Sequence, residues 1–395
     1  MNHQSQDFAG LRQCFQEVSR RNWERLKEVL QEWEPETLPL ALEYCERHLE
    51  HWPDELRVVT ESDASEVALS WWPLAKSFAG GEPDVTLQQV RLLGEHPDAP
   101  PLTRLRLGDY YTLEPSEVLP CFLENPQFAE VEALDTSGRW DNGILLKRCV
   151  ERAVWKRVRE LSFDWHPEMI FHLDSLLHPF WSSLERLDLR IQQYRTHASS
   201  SYLLPLIMGA PTFQTLKHLS LHCLGSSGHS LPVLYDDSTS RFRIELPGVG
   251  ELQEVPSMNA LESLVLRGVS LPLHPWQKWL NTGASASWET LTLQEVPLSH
   301  AHLEALCSSP SVRGLQTLRL IQCGLDDHAL QPLLTTSNLP ALQTLELMDN
   351  ELTERFTESW RKTPGFAQLK SLNLRRNNIS KKFKRKLKHL PGVEA

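Results

Sequence analysis

No stretch of the chain approaches the ~18 uninterrupted apolar residues that a membrane-spanning helix requires. The opening, MNHQSQDFAGLRQCF, has neither a basic region nor an apolar run of the secretory kind. Neither a transmembrane segment nor a secretory signal is therefore expected. Cysteine is sparse and unpaired. The seven (Cys14, Cys45, Cys121, Cys149, Cys223, Cys307 and Cys323) are scattered, odd in number and without a C-x-x-C pair. This distribution argues against a disulfide framework or a zinc module and for reduced thiols in a cytoplasm. Surplus positive charge is missing too. The net charge of −11 opposes a general nucleic-acid role, because phosphate binding needs an excess of cations.

The usual signatures of chemistry are also lacking. There is no phosphate-binding loop, no G-x-G-x-x-G and no H-E-x-x-H. His218 and His222 stand four residues apart, a span of ~13 Å along a strand, too far to grip one ion. His300 and His302 fall at the start of a helical segment, where solvated histidines are ordinary. Gly283 to Ser287, GASAS, lacks the second glycine of a nucleophile elbow. No catalytic residue, metal ligand or cofactor is expected.

What is present is a repeat. Among 395 residues, 41% hydrophobic and 23% charged, as folded proteins are, the pattern L-x-x-L-x-L recurs. Its middle leucine falls at Leu105, Leu134, Leu161, Leu187, Leu219, Leu264, Leu291, Leu318, Leu345 and Leu372, and the last five are spaced by 27. Alternate leucines point to one side of a short strand and the residues between them to the other. One such copy buries about five apolar side chains, on the order of 10 kcal/mol. Fixing its backbone costs roughly 1–2 kcal/mol per residue, which is several times more. A copy cannot fold alone, but a stack makes the leucine columns continuous. Helical spacing follows the strands, as at Leu325, Ala329, Leu330 and Leu333, at Leu352, Phe356 and Trp360, at Trp276, Trp279 and Leu280, and at Ile170, Leu173 and Leu177. Helices are wider than strands, so the stack should curve with its strands inside.

The segments Leu315 to Leu330 and Leu342 to Thr353 resemble leucine-rich repeats of the ribonuclease-inhibitor-like class, over about residues 100 to 390. The resemblance implies a parallel strand surface for interaction, helices on the outer side, and no chemistry. It also implies Asn or Cys at the ninth repeat position, satisfying backbone groups where the chain leaves the strand. Cys323, Asn350 and Asn377 stand there, whereas Leu224, Val269 and Val296 cannot make such bonds, so the earlier turns should be less regular.

The expected fold is α/β: a leucine-rich-repeat solenoid of about ten repeats over 81–395, with an α-helical N-terminal cap or small domain over 1–80. In that segment Phe8, Leu11, Phe15 and Val18 are spaced as one helix face, Leu26, Val29, Leu30 and Trp33 as a second, and Leu38 to Trp52 as a third helix. Thr86 to Leu93 offers a degenerate first repeat. The 45-residue interval after Leu219 holds extra chain. There Phe242, Ile244 and Leu246 alternate with polar residues and predict a hairpin insertion within 228–253. At the far end, 380–390 reads as a basic capping helix, and Arg375 to His389 carries eight Lys or Arg and no acid.

The residues between the leucines form the expected concave face. The first half is charged: Arg104, Arg106, Asp135, Glu160, Asp164, Arg186, Asp188, Arg190, His218, His222 and Arg267. The later half is Thr-rich, with Arg319, Glu346 and Arg375. Charge of both signs suits a protein partner with complementary patches. The expected role is a non-catalytic scaffold that binds a protein on this face, as inhibitor, immunity factor, sensor or adaptor. Two alternatives stay open. One is a regulator of an enzyme, such as a GTPase-activating repeat protein. The other is an anionic-surface binder acting through Lys381, Lys382, Lys384, Arg385, Lys386 and Lys388.

Overall fold

The computed structural model describes residues 3–60, 63, 70–79, 101–107, 120–136, 142–166, 169, 172–192, 207, 210–224, 260–269, 271, 273–282, 288–356, 369–387 and 392–394. The hairpin expected within 228–253, the candidate repeat at Thr86 to Leu93, GASAS, Ile170 and Trp360 lie outside these residues. Two compact units divide the chain, 1–164 with 171–176 and 165–170 with 177–395. Thirteen parallel strands among the described residues follow one another in chain order.

The first unit opens with three helices, α1 (His3–Cys14), α2 (Arg20–Gln31) and α3 (Leu38–Leu49). Ser19, in extended conformation, accepts the Asn22 N–H and starts α2. This turn ends α1 before Val18, which is 51% exposed rather than part of the buried helix face that its spacing suggests. Strands β1 (Val58–Thr60), β2 (Ser77–Ala79), β3 (Arg104–Arg106), β4 (Ala133–Thr136) and β5 (Glu160–Trp165) follow. Their register runs Val59, Phe78, Leu105, Leu134, Leu161. The sheet thus begins at Val58, within the 1–80 segment expected to be an α-helical cap or small domain. Phe78 lies 27 residues before Leu105 but escapes a search for leucine, and Val59 has only a short connection to it. The indole N–H of Trp23 on α2 donates to the Val58 carbonyl at 3.1 Å, satisfying an acceptor of the first strand. Two further helices, α4 (Asn142–Arg152) and α5 (Leu173–Leu176), belong to this unit.

The second unit holds β6 (Arg186–Gln192), β7 (His218–Leu224), β8 (Ser263–Arg267), β9 (Thr290–Gln294), β10 (Thr317–Ile321), β11 (Thr344–Glu346), β12 (Ser371–Asn373) and β13 (Val393–Glu394). Its helices are α6 (Leu273–Thr282), α7 (His300–Ser308), α8 (Gln331–Thr335) and α9 (Lys381–Leu387). Leu187, Leu219, Leu264, Leu291, Leu318, Leu345 and Leu372 are direct neighbours across the strands, and Val393 adds an eighth member. The leucines of this column are at most 1% exposed. Those two positions on, from Leu189 to Leu374, are buried as deeply. Strand β13 follows the basic helix and was not foreseen. Gly392 admits it, because a side chain there would meet the Lys370 carbonyl.

Three features repeat with the strands, two of them in both units. Two residues before most column positions, one carbonyl accepts two successive N–H groups of the next strand. Thr103 O takes those of Glu132 and Ala133 in the first unit, and Glu262 O those of Glu289 and Thr290 in the second. Six residues before it, a buried side chain closes a single turn begun by proline, as with Phe128, Trp181, Phe213 and Val312. Four residues after it, in the second unit, Gly268, Glu295, Gln322, Asp349 and Arg376 take φ between 54° and 63°. Only one of these five is glycine; the left-handed bend is imposed by the next residue, which must turn back into the core.

That next residue is the ninth repeat position. The Asn350 side chain accepts N–H groups of Cys323 and Leu325 at 3.0 and 3.1 Å and donates to the carbonyls of Leu320, Leu347 and Met348. Asn377 repeats this, accepting from Leu352 and donating to Leu347, Leu374 and Arg375. The Cys323 thiol has one proton to donate and lies within reach of the Leu293 carbonyl at 3.2 Å and the Ile321 carbonyl at 3.4 Å, whereas Val269 and Val296 are buried there as apolar plugs.

Replacing Leu318 or Leu345 with Asp buries a charge in the column and should cost more than about 4 kcal/mol, melting the adjoining repeats first. Hydrogen exchange resolves this, and an unchanged melting curve contradicts the register. Asn350→Ala leaves five buried backbone groups without their side-chain partner and should cost roughly 2–4 kcal/mol by denaturant titration. Val296→Ala at the equivalent plug should cost less, since no polar group is orphaned.

Candidate functional site

Each strand buries one side and leaves the other accessible, so register decides which polar residues meet. In the first unit, Arg104, Ala133 and Glu160 lie in one row, as do Arg106, Asp135 and Ser162. Arg104 reaches across the small Ala133 to bond Glu160 at 3.0 Å, with Glu55 at 3.9 Å on its other flank. Arg106 pairs with Asp135 at 3.6 Å. Asp164 does not join them. It is 7% exposed, between buried Phe163 and Trp165, and so is removed from the candidate face. Alternation fails at this end of β5 because α4 begins against it, with the Asn142 amide donating to the Asp164 carbonyl oxygen at 2.9 Å.

In the second unit, strands β6 to β8 carry three rows. They are Arg186, His218 and Ser263, then Asp188, Ser220 and Val265, then Arg190, His222 and Arg267. All these side chains are half-buried. Ser220 joins the middle row to the third: its hydroxyl lies 2.7 Å from His222 Nε2 and hydrogen-bonds Asp188. With Ser220 donating to the carboxylate, His222 Nε2–H donates to the serine oxygen. Burial pushes the Asp188 carboxyl up, against the opposing pull of Arg186, His222, Ser220 and Arg190. Burial likewise holds His222 below the ordinary histidine range, Asp188 raising it and Arg267 and Arg190 lowering it. Sequence reading listed the two histidines and passed over Ser220, whose part depends on the neighbouring strand.

Further along, Arg267 bonds Glu295 at 3.1 Å, Arg319 bonds Glu346 at 2.9 Å and Arg375 meets Glu394 at 3.5 Å. Arg376 also reaches Asp349 at 3.5 Å. Arg319 and Glu346 are register neighbours. Glu295 and Glu394 were missed: one follows its strand in the left-handed bend, and the other lies on the unforeseen strand. On α9, Lys381, Lys382 and Arg385 are exposed and Lys384 is half-buried. The side chains of Lys386 and Lys388 lie outside the described residues.

The geometry offers contact more than chemistry. Ser220 stands between Asp188 and His222 rather than at the end of a relay, so the order of a nucleophile, base and orienting acid is not formed. Among the described residues no group of three or more His, Cys, Asp or Glu is placed to hold a metal ion. Among the described residues no disulfide joins the seven cysteines. Burial pushes the thiols of Cys45, Cys307 and Cys323 up to about 12, far from a reactive thiolate at neutral pH. His302 is structural, accepting the Ser299 N–H at Nδ1 and meeting the Leu271 carbonyl at Nε2. His300 stacks on His328 at 4.8 Å. Among the described residues, no helix is long and apolar enough to cross a membrane.

No protein-family model matches the chain, and no curated protein matches it. Solved structures do. An internalin from Listeria monocytogenes aligns with a TM-score of 0.40 and 12% identity over 87% of this chain and 89% of that one. A Bacteroides fragilis protein aligns with a TM-score of 0.36 and 13% identity over 78% and 73%. A chain from the yeast Rad7 and Elc1 complex aligns with a TM-score of 0.50 and 14% identity over 100% of this chain and 97% of that one. With the register, this last likeness places the chain among α/β repeat solenoids, here built on leucine repeats.

Proposed function

We propose that the chain is a non-catalytic scaffold of the ribonuclease-inhibitor-like class of leucine-rich-repeat proteins. It docks a protein partner against the accessible strand face, the side that the repeat pattern makes concave. The three N-terminal helices act as a cap on the first strand. One observation carries the reading: strand register gathers Arg, His and Asp side chains into rows on a half-open face, where they are held but not covered. Ion pairs at this exposure contribute little to stability, typically ~0–1 kcal/mol. Their value lies in orienting charge for a complementary surface. Arginine is suited to this, because its planar fork bonds carboxylates in fixed geometry. The yeast neighbour was solved in a complex, in keeping with such a role.

Reversing Arg186, Asp188 and Arg190 together (Arg186→Glu, Asp188→Lys, Arg190→Glu) should leave the melting transition in place. It should reduce capture of the native partner by about tenfold or more in pull-downs from the source organism. Undiminished capture by a folded triple variant contradicts the use of this face.

A second reading, attachment to an anionic surface, is favoured by the exposed cations of α9, none of which pairs with a carboxylate among the described residues. Lys381→Glu with Lys382→Glu should then abolish sedimentation with vesicles rich in anionic lipid at low salt. Sedimentation unaffected by these changes and by salt removes that reading.

A further inference from the structure

The ion pairs on the accessible strand face are not evenly distributed. Around β3, β4, β10 and β11 each arginine faces a carboxylate one or two strands away, as in Arg104–Glu160, Arg106–Asp135 and Arg319–Glu346. The three rows on β6 to β8 differ. They contain Arg186, Arg190, Arg267, His218 and His222, with Asp188 the single carboxylate among them. Glu295, past the end of β9, accepts from Arg267 and from the Gln294 amide. At the strand starts, Glu185 is engaged by Lys217 at 2.8 Å. Asp188 is set among these cations, with Arg186 and Arg190 on its own strand and Ser220 and His222 on the next. It therefore steadies several cationic groups at once.

Resting on the strand-face reading above, we propose that β6 to β8 form the docking site for an acidic, extended peptide segment of the protein partner. Aspartate or glutamate side chains of that segment bond Arg186 on one flank of β7 and Arg267 on the other. Charge complementarity selects this occupant. Arg186 and Arg267 stand two strands and four residues apart, about 16 Å by strand geometry, a span that side chains four residues apart on one side of an extended peptide reach. Asp188 and Glu295 divide the positive charge into separate spots, suiting discrete carboxylates better than a continuous phosphate backbone. A peptide carboxylate can displace Glu295 from Arg267, exchanging one exposed pair for another at little cost.

His222 makes the site responsive to pH. Its Nε2–H is engaged by Ser220, so a second proton is taken up at Nδ1 without breaking the Ser220–Asp188 link. The titratable and charged groups facing it are Asp188 and Arg190 from β6 and Arg267 from β8. Held below the ordinary range, the ring is neutral near pH 7 and charges as pH falls. A bound carboxylate favours the charged form. Affinity for an acidic segment must therefore rise as pH falls, until the ligand's own carboxylates protonate.

The test uses the full chain and a fluorescent oligoaspartate peptide, followed by anisotropy at low ionic strength. Aspartate stays largely ionised down to about pH 5. Saturable binding is expected, weakened about tenfold or more by Arg186→Glu with Arg267→Glu and unchanged by Arg47→Glu on the exposed side of α3. The milder pair Arg186→Gln and Arg267→Gln should weaken it less, which serves if the reversal disturbs folding by circular dichroism. Affinity should rise as pH is lowered from about 7.5 toward about 5, where aspartate is still largely ionised, and His222→Gln should remove the rise. Absence of saturable binding, equal affinity in a folded Arg186/Arg267 variant, or a pH response that survives His222→Gln overturns the proposal. Tighter binding of a single-stranded oligonucleotide of matched charge at the same residues does so as well. If oligoaspartate fails while the triple reversal of Arg186, Asp188 and Arg190 still releases the native partner, the face is used and the acidic segment is wrong. If both fail, the face itself is not used.

Discussion

One carbonyl at the start of most strands accepts two backbone N–H groups from the strand that follows, and the leucine two residues later packs on its counterpart there. Everything else in the fold depends on this pair of contacts being repeated. A single copy has too few apolar side chains to offset the entropy of ordering it. Its hydrogen bonds and its buried surface are therefore supplied by neighbours. Stability is distributed along the chain as nearest-neighbour terms, and the two ends are where neighbours run out. At the first strand Trp23 donates to the Val58 carbonyl. At the last, β13 supplies carbonyls for Leu372 and Leu374 N–H groups.

The same arrangement separates what the chain needs for folding from what it presents. Leucine columns and the ninth-position side chains of Cys323, Asn350 and Asn377 occupy the buried side. The other side of the strands carries fewer of these packing contacts, Asp164 and Thr292 being buried exceptions on it. Its residues can vary in kind from row to row, and they do, from charged on β6 to threonine on β9. That freedom allows one solenoid to carry an uneven pattern of charge, densest in arginine and histidine on β6 to β8. The Arg267–Glu295 pair there is only partly covered.

Much of the fold was legible because an apolar side chain every second residue leaves a mark that no helix imitates. All ten leucine marks lie in strands, and each register pairing among them joins mark to mark. The strands missed at the two ends share one cause. Val59 and Phe78 in the first unit and Val393 in the second occupy column positions without being leucine, so a pattern defined by leucine stopped short at both ends. Burial selects for apolar volume, and Phe or Val fills the space as well as Leu. Val18 illustrates the converse: its helical spacing from Phe15 is real, but a capping serine at position 19 turns the chain before the helix can use it.

Of the candidate site, the sequence by itself determined which residues stand on the accessible side of each strand, because that follows from a period of two within one segment. Arg104, Asp135, Arg186, Asp188, His222 and Arg267 were identified so. Only the tertiary structure decided which of them meet, since partners in a parallel sheet come from other segments at distances set by lateral register. Arg104 finds Glu160 over Ala133, Ser220 ties Asp188 to His222, and Arg267 turns to a glutamate held in a left-handed bend. Asp164 was lost to the core for the same reason: a helix from elsewhere in the chain covers the end of its strand, and alternation within β5 carries no trace of it.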